Sequence, residues 1–146
     1  MSTIAQIAPS VMQLQETMRN MPQVELPTFH FFADGMYARV VPRAAGVTIV
    51  GKVHKREHFY IVTKGRVLVV DDAGRHEYQA GDVIVSRPGT KRAVHALEDS
   101  ICMTVHRTDE TDLEKIEAEI IEPDEAALFD AHNKLKPKEL ECLGSQ

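Results

Sequence analysis

The chain has 146 residues with 22 acidic against 17 basic side chains, 43% hydrophobic content, no tryptophan, two cysteines and seven histidines. A single domain of this length buries roughly 70% of the surface its unfolded chain exposes, enough for a core without disulfide staples. A disordered tail and a disulfide miniprotein are therefore excluded. No stretch approaches the ~20 apolar residues of a membrane span, and the first residues lack the basic start and apolar block of a secretory signal. Cys102 and Cys142 form neither a CxxC pair nor a zinc spacing, so a reduced, cytoplasmic protein is expected.

Charge is distributed unevenly. The formal net charge of −5 combines ten acids against four bases over residues 111–146 with eleven bases against five acids between Arg39 and Arg92. The acidic end reads as a solvated helical surface. The bases of the middle fall close to histidines, in Lys52-Val53-His54-Lys55-Arg56-Glu57-His58 and Lys91-Arg92-Ala93-Val94-His95. A duplex-binding domain is usually basic overall and carries a helix-turn-helix, finger or basic-zipper pattern. Specific nucleic-acid binding is thus not expected, and a local pocket for a small anion fits the bases better.

Residues 10–20 place Val11, Leu14 and Met18 on one helical face with Ser10 as N-cap, and Pro22 and Pro27 end the helix. Residues 1–27 are read as a short N-terminal helix and an extended lead-in. Over 28–107 the pattern becomes nine β-prone runs: 28–33, 36–41, 47–52, 58–63, 66–70, 76–79, 83–86, 92–95 and 101–107. Turn residues such as Asp34-Gly35, Lys64-Gly65, Ala80-Gly81 and Pro88-Gly89 divide them. Val67-Leu68-Val69-Val70 is apolar throughout, as in a strand covered on both faces. Many short strands with no interleaved helix predict an antiparallel barrel or sandwich. Beyond 107, Thr111-Asp112-Leu113-Glu114 is a capping-box sequence followed by the helical stripe Leu113, Ile116, Ile120. A second helix, with Ala126, Ala127 and Phe129 as its apolar content, is predicted over 123–135. Residues 108–146 are therefore read as an acidic helical extension packed on the barrel or on a partner subunit.

Residues two or four apart on a strand share a face, so Lys52, His54, His58, Tyr60 and Val62 align if the strand continues through Lys55-Arg56-Glu57. Facing into a small barrel, they present two imidazoles, an ammonium and a phenol. Neutral imidazole ligates zinc, iron, copper and nickel, but the same two histidines can equally serve as hydrogen-bonded barrel residues. His30 reads as a packing residue among aromatics, and His76 and His132 read as solvent-side residues.

The segment 46–95 resembles the cupin superfamily. The first of that family's two motifs corresponds to Lys52-Val53-His54-Lys55-Arg56-Glu57-His58 with Gly65, and the second to Gly81-Asp82 with Pro88-Gly89-Thr90-Lys91-Arg92. The resemblance implies a mainly β fold: a single small double-stranded β-helix (jelly-roll) barrel with a short N-terminal helix and C-terminal helices. It also implies where metal ligands belong. His54 matches the second of the family's paired histidines, His58 takes the place of its glutamate, and Lys52 and Arg92 stand at the remaining two histidine positions. A three-imidazole site is then completed by His106 or, through a bulge, by His95, and the metal is a divalent transition ion (Zn, Fe, Ni or Mn). The stretch from Lys64 to Glu117 is further similar to cupin-like proteins encoded by phages and prophages, which implies an accessory intracellular protein.

Three functions follow. In the first, the barrel is a binding module for an anionic small molecule of the nucleotide or sugar phosphate class, held by Lys52, Arg92, Arg39 or Arg43, His54, His58 and Tyr60, since guanidinium forks match oxyanions. In the second, it is a metal-dependent oxygenase, lyase or isomerase using His54, His58 and His106, with Tyr60 as acid or hydrogen-bond donor. In the third, it is an interaction protein whose tail packs on a partner. A homodimer or higher homo-oligomer is expected in each.

Overall fold

The computed structural model describes residues 4–124 and 127–136. Helix α1 (Ile4–Arg19) precedes nine strands: β1 (Phe29–Ala33), β2 (Met36–Arg43), β3 (Thr48–Val50), β4 (His58–Lys64), β5 (Arg66–Asp71), β6 (Gly74–Gln79), β7 (Val83–Ser86), β8 (Ala93–Ala96) and β9 (Ser100–Arg107). Helix α2 (Leu113–Ile120) follows. The strands form a five-stranded sheet in the order β1-β2-β9-β4-β7 and a four-stranded sheet in the order β3-β8-β5-β6. Their pairings are antiparallel. Each of the nine expected runs is a strand, and the mainly β jelly-roll is the observed fold.

Turn chemistry fixes the register. Asp34 and Gly35 both take positive φ, 26° and 76°, as a two-residue hairpin between β1 and β2 demands. At Gly65 (φ 79°) a Cβ would lie 2.4 Å from both the Asp99 carbonyl oxygen and Ser100 Oγ, so only glycine lets β4 turn into β5 there. Between the sheets, Tyr60, Val62, Val67, Val69, Val94 and Cys102 pack into the main core, joined by Tyr78 and Ile84. Leu68 and Val70 are half-buried on the outer side of β5, where α1 lies.

Three expectations are corrected. α1 begins six residues before Ser10, and Pro9 inside it supplies no amide to the helix ladder. The N-cap of α2 is Asp112, not Thr111: its carboxylate accepts from the amides of Glu114 (3.0 Å) and Lys115 (3.1 Å), and the negative charge adds a favourable term with the helix dipole. The predicted second helix over 123–135 is absent among the described residues, with Ala126 lying outside them. Asp130 Oδ1 accepts from the amides of His132 (2.9 Å) and Lys134 (3.0 Å). Asn133 turns left-handed (φ 60°), and Phe129 bridges to Leu135. An aspartate bonding to its own backbone competes with the helix and wins here. Cys102 is a buried free thiol; Cys142 lies outside the described residues.

Candidate functional site

Alternation on the five-stranded sheet sends Tyr37, Arg39, Val41 and Arg43 of β2, His58, Tyr60 and Val62 of β4, and Ser100, Cys102, Thr104 and His106 of β9 to the same inward face. The register pairs Tyr37 with His106 and Phe59 with Val105, which sets His58 beside His106. A ladder of rings results. Phe32 stacks on Tyr37 (centroids 5.2 Å apart), Tyr37 on His106 (5.8 Å) and His106 on His58 (4.6 Å).

His54 belongs to neither sheet. It sits on the segment after β3 and forms a single antiparallel bridge to Ile121, just past α2. On either side the Lys55 amide donates to the Ile120 carbonyl (2.8 Å) and the Glu122 amide donates to the Val53 carbonyl (2.9 Å). This clamp brings its ring 4.1 Å from His58 and 5.1 Å from His106. The ligand nitrogens of His54, His58 and His106 all lie within 4.8 Å of one another. A strand running straight through 52–60, as the sequence reading required, is therefore not needed to unite the two motif histidines. The segment loops, and α2 supplies the missing ladder partner.

All three imidazoles are held neutral. Burial, with repulsion from His58, His106, Arg92 and Arg39, pushes the His54 imidazole down to about 2. Burial, then His58, Arg39 and Arg56, pushes His106 down to about 3. His58 is lowered by burial with help from Arg92, while its hydrogen bond to the Arg56 carbonyl acts the other way. In that bond His58 Nδ1 donates (3.3 Å), which leaves Nε2 with its lone pair toward the other rings. Two nitrogens sharing one tetrahedral ion at about 2.0–2.1 Å lie about 3.3 Å apart. The set is compatible with a divalent transition ion once ring rotations draw the nitrogens closer than their 4.8 Å limit. His58 already has the outer hydrogen bond that orients ligating imidazoles.

The expected cations divide. Arg92 lies over the Tyr60 ring, its guanidinium carbon 5.2 Å from the centroid, and also hydrogen-bonds Ser86 Oγ. Arg39 points inward within electrostatic reach of Tyr37, Arg43, Tyr60 and Glu117, yet makes no hydrogen bond or ion pair among the described residues. Arg43 is buried with its Nε unbonded. The buried Tyr60 hydroxyl likewise lacks a partner of oxygen or nitrogen, and burial, first of all, raises it above the ordinary phenol range. Lys52 departs from expectation: its ammonium is bonded to Glu117 of α2, 65 residues away.

His95 is ruled out as a ligand. It lies on the face of β8 opposite the core residue Val94 and bonds Thr48 Oγ1 through Nδ1 (2.7 Å). His30 packs beside Tyr37 as expected, its Nδ1 2.7 Å from the Tyr37 hydroxyl. Burial lowers the His30 imidazole, and its tautomer sets which of the two groups donates. The residues the sequence reading missed are Glu117 and Ser86; the Lys52–Glu117 pair joins segments too distant for any local pattern to show.

Residues 40–106 match the family model described as a cupin domain. No curated protein matches the sequence. Among solved structures, the chain is similar to a cupin superfamily protein from Desulfitobacterium hafniense (11% identity, 62% of this chain and 84% of that one covered, TM-score 0.52). It is also similar to KdgF from a Halomonas species (16% identity, 60% and 84% covered, TM-score 0.52) and to the DMSP lyase DddQ from Ruegeria pomeroyi (19% identity, 60% and 50% covered, TM-score 0.51). At these identities the likeness concerns the fold. The barrel that carries the three imidazoles has the cupin fold, and its residues 40–106 match the cupin domain itself.

Proposed function

We propose that this chain is a metal-binding cupin protein in which His54, His58 and His106 hold a divalent transition ion, and Arg39, Arg43, Arg92 and Tyr60 receive the anionic end of a small ligand beside it. The observation that carries the reading is the convergence of three neutral imidazoles, His58 and His106 buried and His54 half-buried, on one point. Three protein ligands leave coordination positions open, the arrangement that catalytic rather than structural sites keep. A bound ion of this class supplies Lewis acidity and lowers the proton affinity of water.

The protein's own groups favour an anionic ligand. Arg43 Nε is a buried donor without a partner, the Tyr60 hydroxyl has only the Cys102 thiol beside it to bond, and buried polar atoms in native proteins are generally satisfied. A carboxylate or phosphate oxygen between them satisfies both, with Arg39 and Arg92 close by. Tyr60, raised by burial, stays protonated at neutral pH and acts as a hydrogen-bond donor to that oxygen. A catalytic role as lyase, isomerase or oxygenase requires the same open positions, with Tyr60 orienting the substrate.

Elemental analysis of the purified protein, as isolated and after loading with zinc, iron, nickel or manganese, tests the metal. About one ion per chain is expected in the wild type, and none in His58→Ala. Failure of the reconstituted wild type to retain any of them overturns it. Thermal shift with inorganic phosphate and small carboxylates tests the anion: stabilisation abolished in Arg39→Gln and Arg92→Gln supports it, and identical shifts in wild type and variants remove it.

A further inference from the structure

We propose that α2 is a latch on the histidine centre: its docking positions His54, so that metal binding and docking of the helix favour each other. The inference rests on the metal reading proposed above. The three imidazoles are not equally anchored. His58 pairs with Ser86 and His106 with Tyr37 inside the five-stranded sheet. His54 lies outside both sheets. Its backbone is held between the Gly89 amide, which donates to its carbonyl (3.0 Å), and the chain that leaves α2, through the bridge to Ile121. The two amide bonds that flank this bridge, from Lys55 to Ile120 and from Glu122 to Val53, both join the His54 segment to the end of the helix.

Side chains repeat the attachment. Lys52 bonds Glu117, the Lys55 ammonium donates to the Ala118 carbonyl (3.0 Å), and Arg56 pairs with Glu119 (2.6 Å). The bases around His54 thus meet the acids beyond residue 111, which gives the charge asymmetry of the sequence a place in the fold. The helix also buries Ile116 and Ile120 against Tyr37, whose ring stacks on His106. This apolar patch is separate from the main core between the sheets. One helix therefore buttresses the centre twice, through the backbone of His54 and through the ring behind His106.

Length makes the latch reversible. The eight residues of α2 fall below the ~12–15 that an isolated helix needs in water, so it keeps its shape by staying docked. Its ion pairs are partly open to solvent and each contributes little. An element held by one small apolar patch and exposed polar bonds opens before the barrel does. On opening, His54 loses its bridge and keeps the Gly89 bond alone, while His58 and His106 stay in their strands. An ion that needs three nitrogens then binds more weakly, and by linkage a bound ion holds α2 down by the same factor.

Zinc binding and amide hydrogen exchange of the full chain test the latch. Saturating zinc is expected to slow exchange at the Lys55 and Glu122 amides about tenfold. Two variants are expected to weaken zinc about tenfold each in chelator competition, with the β signal in far-ultraviolet circular dichroism unchanged. Ile120→Ala thins the apolar patch without changing charge. Glu122→Pro deletes the amide bond to Val53 from an exposed position, and Glu122→Gln, which keeps that amide, is its control and should bind zinc within about twofold of the wild type. If Ile120→Ala loses its β signal, the Glu122 pair carries the test. Zinc held by Glu122→Pro as tightly as by the wild type, an equal loss in Glu122→Gln, or exchange at the two amides indifferent to zinc overturns the latch and leaves the histidine centre standing. A wild type that retains no ion overturns both.

Discussion

The two sheets face each other across one barrel, and their inner walls differ in chemistry. The four-stranded wall contributes Val67, Val69 and Val94 to the core. The five-stranded wall carries Arg39, Arg43, His58, Tyr60, Ser86 and His106 on its inward face. Burial between the walls, by excluding water, holds the imidazoles neutral and leaves the Tyr60 phenol and Arg43 Nε unsolvated. The five-stranded wall also shares the core through Val62 and Cys102, and His54 joins its histidines from outside either sheet.

Removing a ligand from the polar wall should give the largest effect. His106→Ala is expected to weaken zinc binding by more than about 100-fold, beyond the 10–100-fold typical of losing an outer partner, as read by chelator competition. A loss below tenfold would mean that His106 is a packing residue of the Tyr37 ladder.

Acid should act next, and on the metal-free protein. His54 and His106 are held near 2 and 3 in the folded state against about 6.5 in the unfolded chain. Below pH 6.5 the unfolded state therefore binds more protons, and stability, complete above that pH, falls as pH drops toward the folded values. Each group contributes a slope of roughly 1 kcal/mol per pH unit over that window. Denaturant midpoints at pH 7.5, 6.5 and 5.5 should be flat across the first interval and fall across the second. A midpoint that rises on acidification would show that the rings are exposed and charged.

The apolar wall is broken by Val67→Ala. Val67 is fully buried, so the lost methyls and residual cavity should cost about 2 kcal/mol and lower Tm by roughly 4–8 °C. Val67 shares a core cluster with Tyr60 but not with the three imidazoles, so zinc affinity should stay within about twofold if the wall is scaffold only. A coupled loss of metal affinity would merge the two walls into one functional unit.

The fold was legible in the sequence because strands here are short and bounded by glycine turns whose backbone needs are local, as at Asp34-Gly35 and Gly65. His54 and His58 could be nominated from two motif positions and strand alternation, and His106 only as the imidazole that completes a set of three. Their union could not be foreseen, since it depends on the bridge from His54 to Ile121 and on the pairing of β4 with β9. The failures are of the same kind. Lys52 lines up with the histidines in sequence but is claimed by Glu117 of α2, and Asp130 diverts the last predicted helix into turns. Alternation foretold the outward face of His95, and no bulge intervenes to reverse it.

Glu117 gives the finest test of how the charges are shared. It bonds Lys52 and lies within electrostatic reach of Arg39, so it is a tethered carboxylate at the edge of the proposed anion site. Both partners are partly open, with side chains 23% and 31% exposed, and such pairs contribute only about 0.2–1 kcal/mol. Glu117→Gln should therefore cost little stability. It also removes a charge competing for Arg39 and frees Lys52 to join Arg92, so phosphate should bind more tightly, by about 1.5- to 5-fold for the same energy. Weaker binding in Glu117→Gln would invert the relation: the carboxylate would then be the group that positions Lys52 for the ligand, and the polar wall would extend onto α2.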